Sequence, residues 1–268
     1  MSLKIQNINY KHSSKFSLNN ISLTFHNNVT AIIGPNGSGK STLVKCILNI
    51  YKCDGEMYYQ GESIKKQKKE FIKQKVGYLP QTTQNDASIT VFEAVLLGLI
   101  NTLNLKVSKK QEQKVNNILD AFELQHLAKS KINELSGGQL QMVSLAQSII
   151  KEPEILILDE PLNNLDIHRQ FSLMNTVSNL AYEKKMIVII VMHDINLTSR
   201  YADNIVVMKD GNIYSHGTPK EVLTKKMIRE IYKIDSEIYV NKQGKQVIEF
   251  VGISTETDKN KYKLVSHI

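Results

Sequence analysis

An apolar, strand-like run near the N-terminus leads directly into a glycine-rich loop and then into a helical pattern. The stretch reads VTAIIGPNGSGKST over residues 29–42 and contains the spacing G-x-x-x-x-G-K-S. Glycine lets the backbone curl closely around an anion, because no Cβ obstructs the approach. Backbone N–H groups at the start of the helix then face that anion. The stretch therefore predicts a strand–loop–helix unit of an α/β fold, with a phosphate site at the end of a buried strand.

The glycine-rich loop contains several neighbouring residues that are expected to bind a nucleoside triphosphate. The N–H groups from Asn36 to Thr42 are expected to face the β-phosphate, and Lys40 is expected to reach the β- and γ-phosphates. The Ser41 hydroxyl is a candidate Mg²⁺ ligand. The predicted nucleotide-binding residues of this loop are Gly34, Pro35, Asn36, Gly37, Ser38, Gly39, Lys40, Ser41 and Thr42.

The helix after this loop is predicted from apolar residues at helical spacing. Its apolar face is expected to comprise Leu43, Cys46, Ile47 and Ile50. The chain has two cysteines, Cys46 on this face and Cys53 near a turn. Their spacing matches neither a metal site nor a disulfide framework, so two reduced thiols without a role are expected.

A second apolar run, ILILDEP at residues 155–161, ends in two carboxylates. Four apolar residues bury the strand, and Asp159 then emerges at its carboxyl end, where open α/β sheets bind ligands. Asp159 is expected to hold Mg²⁺ directly or through water, and Glu160 to orient and polarise the attacking water. A plain strand-ending turn is the alternative, but the pairing with a phosphate loop favours the metal site.

Two more polar residues follow apolar runs that are expected to reach the same edge of the sheet. His193 ends the run VIIVMH and is a candidate γ-phosphate contact, although a lone histidine is more often structural. Gln81 follows the short run VGYLP and could bridge Mg²⁺ and the attacking water. The predicted Mg²⁺ ligands are thus Ser41, Gln81 and Asp159.

The spacing of apolar residues divides the rest of the chain into sheet and helix. Residues 1–28 and 54–62 alternate apolar and polar side chains and predict an exposed antiparallel sheet. Residues 204–217 predict a hairpin with an Asp-Gly turn, and residues 88–152 lack strand signals and predict helices. Capping boxes open several helices. The boxes are Thr90 with Glu93, Ser108 with Gln111, and Thr218 with Glu221, the last with Pro219 at the first helical position.

The composition favours an ordinary soluble protein of one or two domains over 268 residues. The longest strongly apolar run, 186–192, falls short of the ~20 residues that span a bilayer, and the N-terminus lacks a signal-peptide core. A cytosolic protein is therefore expected. The net charge of +8 could attract nucleic acid or an anionic membrane, but lysines scattered among acids favour a plain lysine-rich surface. Without an RNA-binding aromatic motif or a zinc finger, no nucleic acid is expected.

A second Ser-Gly-Gly loop lies in LSGGQ, residues 135–139, and also leads into an apolar helix. Ser136 is expected to cap this helix with Gln139 at its third position, and the glycines permit close approach of an anion. With GPNGSGKS upstream and ILILDEP shortly downstream, this loop makes the chain resemble the ATP-binding subunits of ATP-binding-cassette (ABC) transporters. The resemblance extends from residue 3 to about residue 250.

The resemblance implies an α/β fold, the P-loop NTPase cassette of ABC proteins. Such a cassette has a parallel-sheet core, an antiparallel β subdomain and an α-helical subdomain, here at about 88–152. It implies one ATP-binding domain over residues 1–253, followed by a polar tail at 254–268. It also implies an ATPase that requires Mg²⁺ as its cofactor.

Particular residues receive roles from the same resemblance. Tyr10 would stack on adenine, an interaction of roughly 1–3 kcal/mol. Gln81 would form the Q-loop, and His193 would act as the switch histidine. Glu160, His193 and Gln81 would thus be the catalytic residues. Residues 163–166 would form the D-loop, with Asp166 at the nucleotide. The signature residues expected to contact ATP are Ser136, Gly137, Gly138 and Gln139.

The resemblance also explains why one chain carries two anion-seeking loops. In this family two copies pack head to tail, and each ATP lies between the phosphate loop of one copy and the signature of the other. The implied partners are ATP, a second copy of the chain, transmembrane permease subunits and, indirectly, a substrate-binding protein. The chain would then lie on the inner face of the cell membrane. The segment from Gln81 to Val95 is expected to dock a cytoplasmic helix of the permease.

Weaker similarities at residues 165–170, 193–223 and 228–235 point to ATPases that import iron siderophores, haem or cobalamin. The chain also departs from the usual pattern near the signature and in the helical region. These departures bear on the pairing with a membrane subunit, since no phosphate ligand is lost. They are Leu140, Met142 and Gln147 in place of common basic residues, and Gly98-Leu99 in place of Gly-Arg.

Two other functions stay open on the sequence alone. A soluble ABC ATPase could act on the ribosome or on DNA, but such members usually carry two cassettes or a long coiled-coil insert. This chain has one phosphate loop, one signature and no such insert between residues 42 and 135. An exporter ATPase would share the nucleotide motifs, and only the downstream similarity argues against it.

Overall fold

The computed structural model describes residues 1–13, 16–81, 87–102, 107–163 and 165–254. Its strands are β1 Ser2–Ser13, β2 Phe16–His26, β3 Val29–Ile33, β4 Asp54–Tyr59, β5 Glu62–Ser63, β6 Val76–Leu79, β7 Ile155–Asp159, β8 Ile187–Val191, β9 Asn204–Lys209, β10 Asn212–Gly217, β11 Ile234–Val240 and β12 Gln246–Ile253. Its helices are α1 Lys40–Ile47, α2 Lys68–Lys75, α3 Val91–Leu96, α4 Lys109–Ala121, α5 Gly137–Ile149, α6 Ile167–Glu183, α7 Ile195–Tyr201, α8 Pro219–Val222 and α9 Lys225–Tyr232. Short 3₁₀ turns cover Lys65–Gln67, Leu97–Thr102, Gln125–Leu127 and Ile132–Glu134.

A six-stranded sheet in the order β10-β9-β3-β8-β7-β6 forms the centre of the molecule. Its strands are parallel except for β10, which pairs antiparallel with β9. β3, β7 and β8 are buried along their whole length, which explains their continuous apolar sequences. The predicted hairpin is confirmed: Asp210 and Gly211 turn with φ values of 48° and 74°, as a type I′ turn requires. The predicted parallel core is thus confirmed.

An antiparallel sheet in the order β2-β1-β4-β5 covers one side of α1. The inner side chains of this sheet, α1 and one face of the central sheet share a single apolar cluster that includes Ile5, Phe25, Leu43 and Ile157. The alternating pattern of residues 1–28 and 54–62 therefore predicted the sheet correctly. The expectation for Ile50 was wrong, because α1 ends at Ile47 and leaves the Ile50 side chain 55% exposed.

Helices α3, α4 and α5 occupy the described part of residues 88–152, as the absence of strand signals predicted. All four predicted capping boxes are present, at Thr90, Ser108, Ser136 and Thr218. The 3₁₀ turn after α3 packs tightly on α5, because a Cβ on Gly98 would lie 2.3 Å from the Gln147 carbonyl oxygen. This close approach explains a glycine at that position.

β11 and β12 form a separate antiparallel hairpin that the sequence analysis did not predict. The hairpin is attached to α7 by side-chain bonds to its backbone. The Asn196 amide donates to the Ile248 carbonyl at 3.0 Å and accepts from the Ile248 N–H at 2.8 Å. The Ser199 hydroxyl donates to the Gln246 carbonyl at 2.7 Å. Of the polar tail, residues 255–268 lie outside the described residues.

None of the described helices combines the length and apolarity that a bilayer crossing requires.

Candidate functional site

The carboxyl ends of four parallel strands converge on one cavity of about 680 Å³. The loop after β3 forms one wall, and residues that follow β6, β7 and β8 form the opposite wall. This is the position at which open parallel sheets bind ligands. The residues that line the cavity are Asn36, Gly37, Gly39, Lys40, Ser41, Thr42, Gln81, Glu160, Asn163 and His193. All except Asn163 are residues that the sequence predicted for the site.

The phosphate loop depends on glycine at two positions for different reasons. Gly34 has φ = 145°, and a Cβ there would lie 2.2 Å from the Met208 carbonyl oxygen. Gly39 has φ = 104° and is the residue that precedes α1. An L side chain is strained in that conformation, so glycine brings the loop into the helix. The first N–H groups of α1 consequently face the cavity, where an anion would satisfy them.

The Lys40 ammonium group lies inside this loop, with the residue only 5% exposed. It donates hydrogen bonds to the carbonyl oxygens of Gly34 at 2.9 Å and of Pro35 at 3.0 Å. Burial lowers the pKa of Lys40, and the negative charges of Glu160 and Asp159 partly oppose that shift. An ammonium has three donors, so one remains to reach a phosphate oxygen.

Ser41 and Asp159 are joined at the back of the cavity. The Ser41 hydroxyl donates to Asp159 Oδ1 at 2.9 Å, across 118 positions of sequence. Asp159 Oδ2 is buried and has no hydrogen-bond partner among the described residues. Burial raises the pKa of Asp159, with the nearby Glu160 charge adding to the shift. A hydroxyl and an orphaned carboxylate oxygen fit a Mg²⁺ ion, which prefers oxygen ligands and would favour the ionised carboxylate.

The Glu160 carboxylate forms the centre of a hydrogen-bond network. Gln81 donates to Oε2 at 2.7 Å, Asn163 donates to the same oxygen at 2.9 Å, and His193 Nε2 lies 2.7 Å from Oε1. Burial alone would raise the pKa of Glu160, but the hydrogen bonds from His193, Asn163 and Gln81 outweigh it and leave the pKa lowered. The carboxylate is therefore held in its ionised form, close to the phosphate loop.

The backbone at Glu160 has a left-handed conformation with φ = 54°. A non-glycine residue rarely adopts this region, and such strain tends to accumulate at functional sites. Here the conformation ends β7 abruptly after Asp159. The two neighbouring carboxylates consequently serve different partners, Asp159 facing Ser41 and Glu160 facing Gln81 and His193.

Asn163 is the residue of the site that sequence reasoning did not assign. It lay within the predicted D-loop, residues 163–166, but no contact with Glu160 was expected from it. A turn brings it back, with the Asn163 N–H 3.4 Å from the Glu160 carbonyl oxygen. The available signal was an amide side chain three residues after the carboxylate that was predicted to be catalytic. Asn164 of the same loop lies outside the described residues.

Of the described residues predicted for the site, Gly34, Pro35, Ser38 and Asp159 lie next to lining residues without lining the cavity themselves, and three further groups also do not line it. Tyr10 instead stacks on Tyr51, with ring centroids 5.0 Å apart and an interplanar angle of 3°. Ser136 caps α5 by accepting from the Gln139 N–H at 3.3 Å. Asp166 caps α6 by accepting from the Arg169 N–H at 2.8 Å. Ser136, Gly137 and Asp166 are exposed and therefore accessible to another molecule, whereas Gly138 is buried and Tyr10 is half-buried.

Comparison with known proteins agrees with this geometry. Residues 18–163 match the family model described as ABC transporter. MJ0089, an uncharacterized ABC transporter ATP-binding protein of Methanocaldococcus jannaschii, is 37% identical over 254 residues, covering 94% of this chain and 99% of that protein. The petrobactin import ATP-binding protein YclP of Bacillus subtilis is 32% identical over 232 residues, covering 86% of this chain and 92% of that protein.

Among solved structures, the chain is similar to the ATP-binding cassette MJ0796 in a dimeric, post-hydrolysis state bound to ADP and Pi. The TM-score is 0.73 with 28% sequence identity, covering 81% of this chain and 98% of that chain. The family match, the relatives and the cavity all agree. The chain therefore belongs to the ABC transporter family as one of its ATP-binding, ATP-hydrolysing subunits.

Proposed function

We propose that the chain hydrolyses MgATP to power the import of a siderophore-type metal chelate through separate membrane subunits. The observation that carries the proposal is a single cavity lined by the phosphate loop and Glu160, in which the lining residue Ser41 is hydrogen-bonded to Asp159. The relative YclP, which is named for petrobactin import, supports the class of cargo. The downstream sequence similarity to siderophore, haem and cobalamin importers supports import over export.

Each residue of the cavity has a separate task in hydrolysis. The N–H groups of residues 36–42 and the Lys40 ammonium hold the β- and γ-phosphates. Ser41, Asp159 and Gln81 would hold Mg²⁺, which would supply positive charge to the phosphate oxygens. Gln81 keeps its Nε2–H bond to Glu160, because the metal would be bound by Oε1 of the same amide. His193, at the end of β8, donates a hydrogen bond to the γ-phosphate or to Glu160.

Glu160 accepts the proton of the attacking water. A carboxylate has about four acceptor positions. Gln81, Asn163 and His193 occupy three of these positions. One position is left for an O–H of water, so the network orients a single water toward the γ-phosphate. The water oxygen bonds to phosphorus, the bond to the β-phosphate oxygen breaks, and ADP leaves with both electrons of that bond.

Tyr10 and the signature loop complete the nucleotide site in this proposal. Tyr10 stacks on adenine, and a second copy of the chain presents Ser136, Gly137, Gly138 and Gln139 to the γ-phosphate. The exposure of Ser136 and Gly137 away from their own cavity supports an intermolecular role. The N-terminus of α5 adds partial positive charge there. The dimeric state of the similar cassette MJ0796 also supports this arrangement.

A groove of about 860 Å³ between the central sheet and the helical region is proposed as the docking site for a membrane subunit. It is lined by apolar residues such as Ile89, Ile100 and Val143, with Lys73 and Lys151 at one side. The groove also contains Leu140 and Gln147, two of the positions at which the sequence departs from related importers. These departures therefore fall where pairing with a membrane subunit would be decided. Residues 82–86 of the predicted docking segment lie outside the described residues.

Purification and transport together test this function. The chain should hydrolyse ATP only with a divalent cation, and it should co-purify with transmembrane subunits from a membrane fraction. A photo-crosslinker at Ser88 should reach those subunits. Vesicles that contain the whole complex should take up a ferric siderophore, haem or cobalamin with ATP on the side of this chain. Co-purification of ribosomes instead, or transport in the outward direction, would overturn the proposal.

A further inference from the structure

The sequence predicted no role for the two cysteines. The fold brings them close together at the end of α1 that is farther from the phosphate loop. Cys46 is in the last turn of α1 and is fully buried, and Cys53 is half-buried just before β4. The Cys53 thiol donates to the Cys46 carbonyl oxygen at 3.8 Å. The two thiols also interact with each other, and this interaction shifts their pKa values in opposite directions. Sequence spacing did not predict this pair. It forms because the chain reverses at Asn49, where φ = 58°.

The surroundings of the pair favour a reactive thiolate at Cys53. The hydrogen bond from Cys46 and the charge of Lys68 lower the pKa of Cys53 to about 6, although burial and Asp54 oppose them. The same hydrogen bond raises the pKa of Cys46, and Tyr10 also lies within electrostatic reach of it. Lys68, on α2, donates to the Cys46 carbonyl at 3.1 Å. Ionisation is therefore easier at Cys53 than at Cys46, which suits attack by Cys53 on an oxidant.

The segment between the two cysteines carries Tyr51, whose ring stacks on Tyr10. This segment is held to α1 by the Lys45 carbonyl, which accepts from the N–H groups of Ile50 at 2.9 Å and Tyr51 at 3.1 Å. The Lys45 ammonium lies 5.6 Å from the centre of the Tyr51 ring. A disulfide between Cys46 and Cys53 would draw the two ends of this short segment together. It would therefore move Tyr51, whose ring stacks on that of Tyr10.

We propose that Cys46 and Cys53 form a peroxide-sensitive thiol pair, which closes to a disulfide and thereby displaces the Tyr10–Tyr51 stack. The Cys53 thiolate attacks one oxygen of a hydroperoxide, the O–O bond breaks, and the leaving oxygen takes a proton, which leaves a sulfenic acid on Cys53. The Cys46 sulfur then bonds to the Cys53 sulfur, the S–O bond breaks, and the leaving hydroxide takes the Cys46 proton as water. Two electrons pass from the thiols to the peroxide.

Mass analysis of the purified full-length chain tests the thiol chemistry. After hydrogen peroxide and then iodoacetamide, the protein should be two hydrogen atoms lighter than the reduced chain and carry no alkyl group, and dithiothreitol should reverse the change. Cys53→Ser should stay fully reduced at Cys46. Two alkylated cysteines after peroxide, or Cys53 oxidised to a sulfinic acid without a disulfide, would overturn the proposal.

The pH dependence of alkylation is an independent test with a matched pair of variants. Cys53 of the reduced chain should be alkylated with a midpoint near pH 6. Cys46→Ser keeps an O–H donor and should retain a low midpoint, whereas Cys46→Ala removes the donor and should move it toward the ordinary value of about 8.5. Equal midpoints for the two variants would contradict the paired arrangement.

The expected effect of oxidation on nucleotide binding rests on the proposed function, because it assumes that Tyr10 stacks on adenine. Oxidation should weaken ATP binding about fivefold or more but leave inorganic triphosphate binding unchanged, since triphosphate meets only the phosphate loop. A disulfide with unchanged ATP affinity would overturn the link to the stack. If the reduced chain already bound ATP and triphosphate equally, the adenine assignment would fail instead, and the mass analysis would still decide the thiol chemistry.

Discussion

At the scale of single residues, Glu160 has an unusual backbone conformation and a carboxylate that is contacted by three polar side chains. Its left-handed φ of 54° ends β7, and three side chains from different parts of the chain hold its two oxygens. Those bonds lower its pKa against the effect of burial. If Glu160 is the base, as proposed, it is therefore ionised before ATP arrives and need not first lose a proton.

Glu160→Gln should bind MgATP normally and turn it over at least about a hundredfold more slowly, because general-base catalysis contributes about 10²–10⁴. Single-turnover hydrolysis of labelled ATP measures the loss, and an equilibrium titration measures binding. A variant that hydrolyses ATP at the normal rate would show that Glu160 is not the base.

Lys40→Ala should weaken ATP binding about tenfold or more, since a hydrogen bond to a charged group contributes about 1.5–3 kcal/mol. Lys69→Ala is the matched control, because it removes the same charge from an exposed position on α2. Titration of fluorescent ATP compares the two. Equal affinities would contradict the phosphate-loop assignment.

Asn163→Ala should change the pH dependence of hydrolysis. Asn163 donates to the Glu160 carboxylate and thus helps to lower the pKa of Glu160. Without this donor the pKa of Glu160 rises, so the acid limb of the kcat–pH profile should move to higher pH. Asn117→Ala, which removes an exposed amide from α4, should leave the profile in place. Coinciding acid limbs for the Asn163 variant and the parent chain would rule out this role.

At the scale of secondary-structure elements, the groove next to α5 depends on close packing of the 3₁₀ turn Leu97–Thr102. The backbone of Gly98 leaves no room for a side chain, since an added Cβ would meet the Gln147 carbonyl at 2.3 Å and the Ile150 side chain at 2.5 Å. The turn therefore packs directly on α5 at the edge of the groove.

Gly98→Ala should destabilise the chain by about 1–3 kcal/mol, because overpacking forces the backbone apart. Gly252→Ala is the matched control: nothing lies within 4 Å of its added Cβ, and it has no left-handed φ. Thermal unfolding followed by circular dichroism should show a lower Tm for the Gly98 variant alone. The same Tm for both variants would contradict the close packing.

Sequence predicted some elements well and others poorly, for identifiable reasons. The buried strands and the capped helices were predictable, because continuous apolar runs and capping boxes are local signals. The hairpin β11–β12 was not, since most of its side chains are partly or fully exposed and its attachment comes from α7. Ile50 was misplaced because the helical period continued in the sequence after α1 had ended.

The same contrast between local signals and contacts made by the fold holds for the candidate site. Residues in the phosphate loop and at strand ends were predictable, since parallel strands end at a common edge. The contact of Asn163 with Glu160 and the pairing of Cys46 with Cys53 depend on turns at Glu160 and Asn49. No local pattern in the sequence encodes where those turns bring a side chain.

At the scale of the whole molecule, the two glycine-containing loops that the proposal assigns to one nucleotide site do not line the same cavity. Lys40 lines the cavity at the end of the central sheet, whereas Ser136 is exposed at the start of α5 and does not line it. A second copy in head-to-tail orientation would complete both sites at once. This arrangement is the central claim of the proposed function, because it makes closure of the dimer depend on ATP.

Heterodimers of two damaged chains test this claim most directly. One chain carries Lys40→Ala, the other carries Ser136→Glu, both carry Glu160→Gln, and two different affinity tags isolate the mixed pair. At ~4 Å, a glutamate facing the γ-phosphate costs about 4 kcal/mol at an effective dielectric near 20. The matched control pairs a chain carrying both Lys40→Ala and Ser136→Glu with a chain carrying neither.

The measurement is the amount of labelled ATP trapped per isolated heterodimer on a filter. If the signature of one copy contacts the nucleotide of the other, the first pair should trap one ATP, and the control pair should trap none. If both loops served one nucleotide within a chain, the result would be reversed: none in the first pair and one in the control. That reversed result would contradict the head-to-tail site.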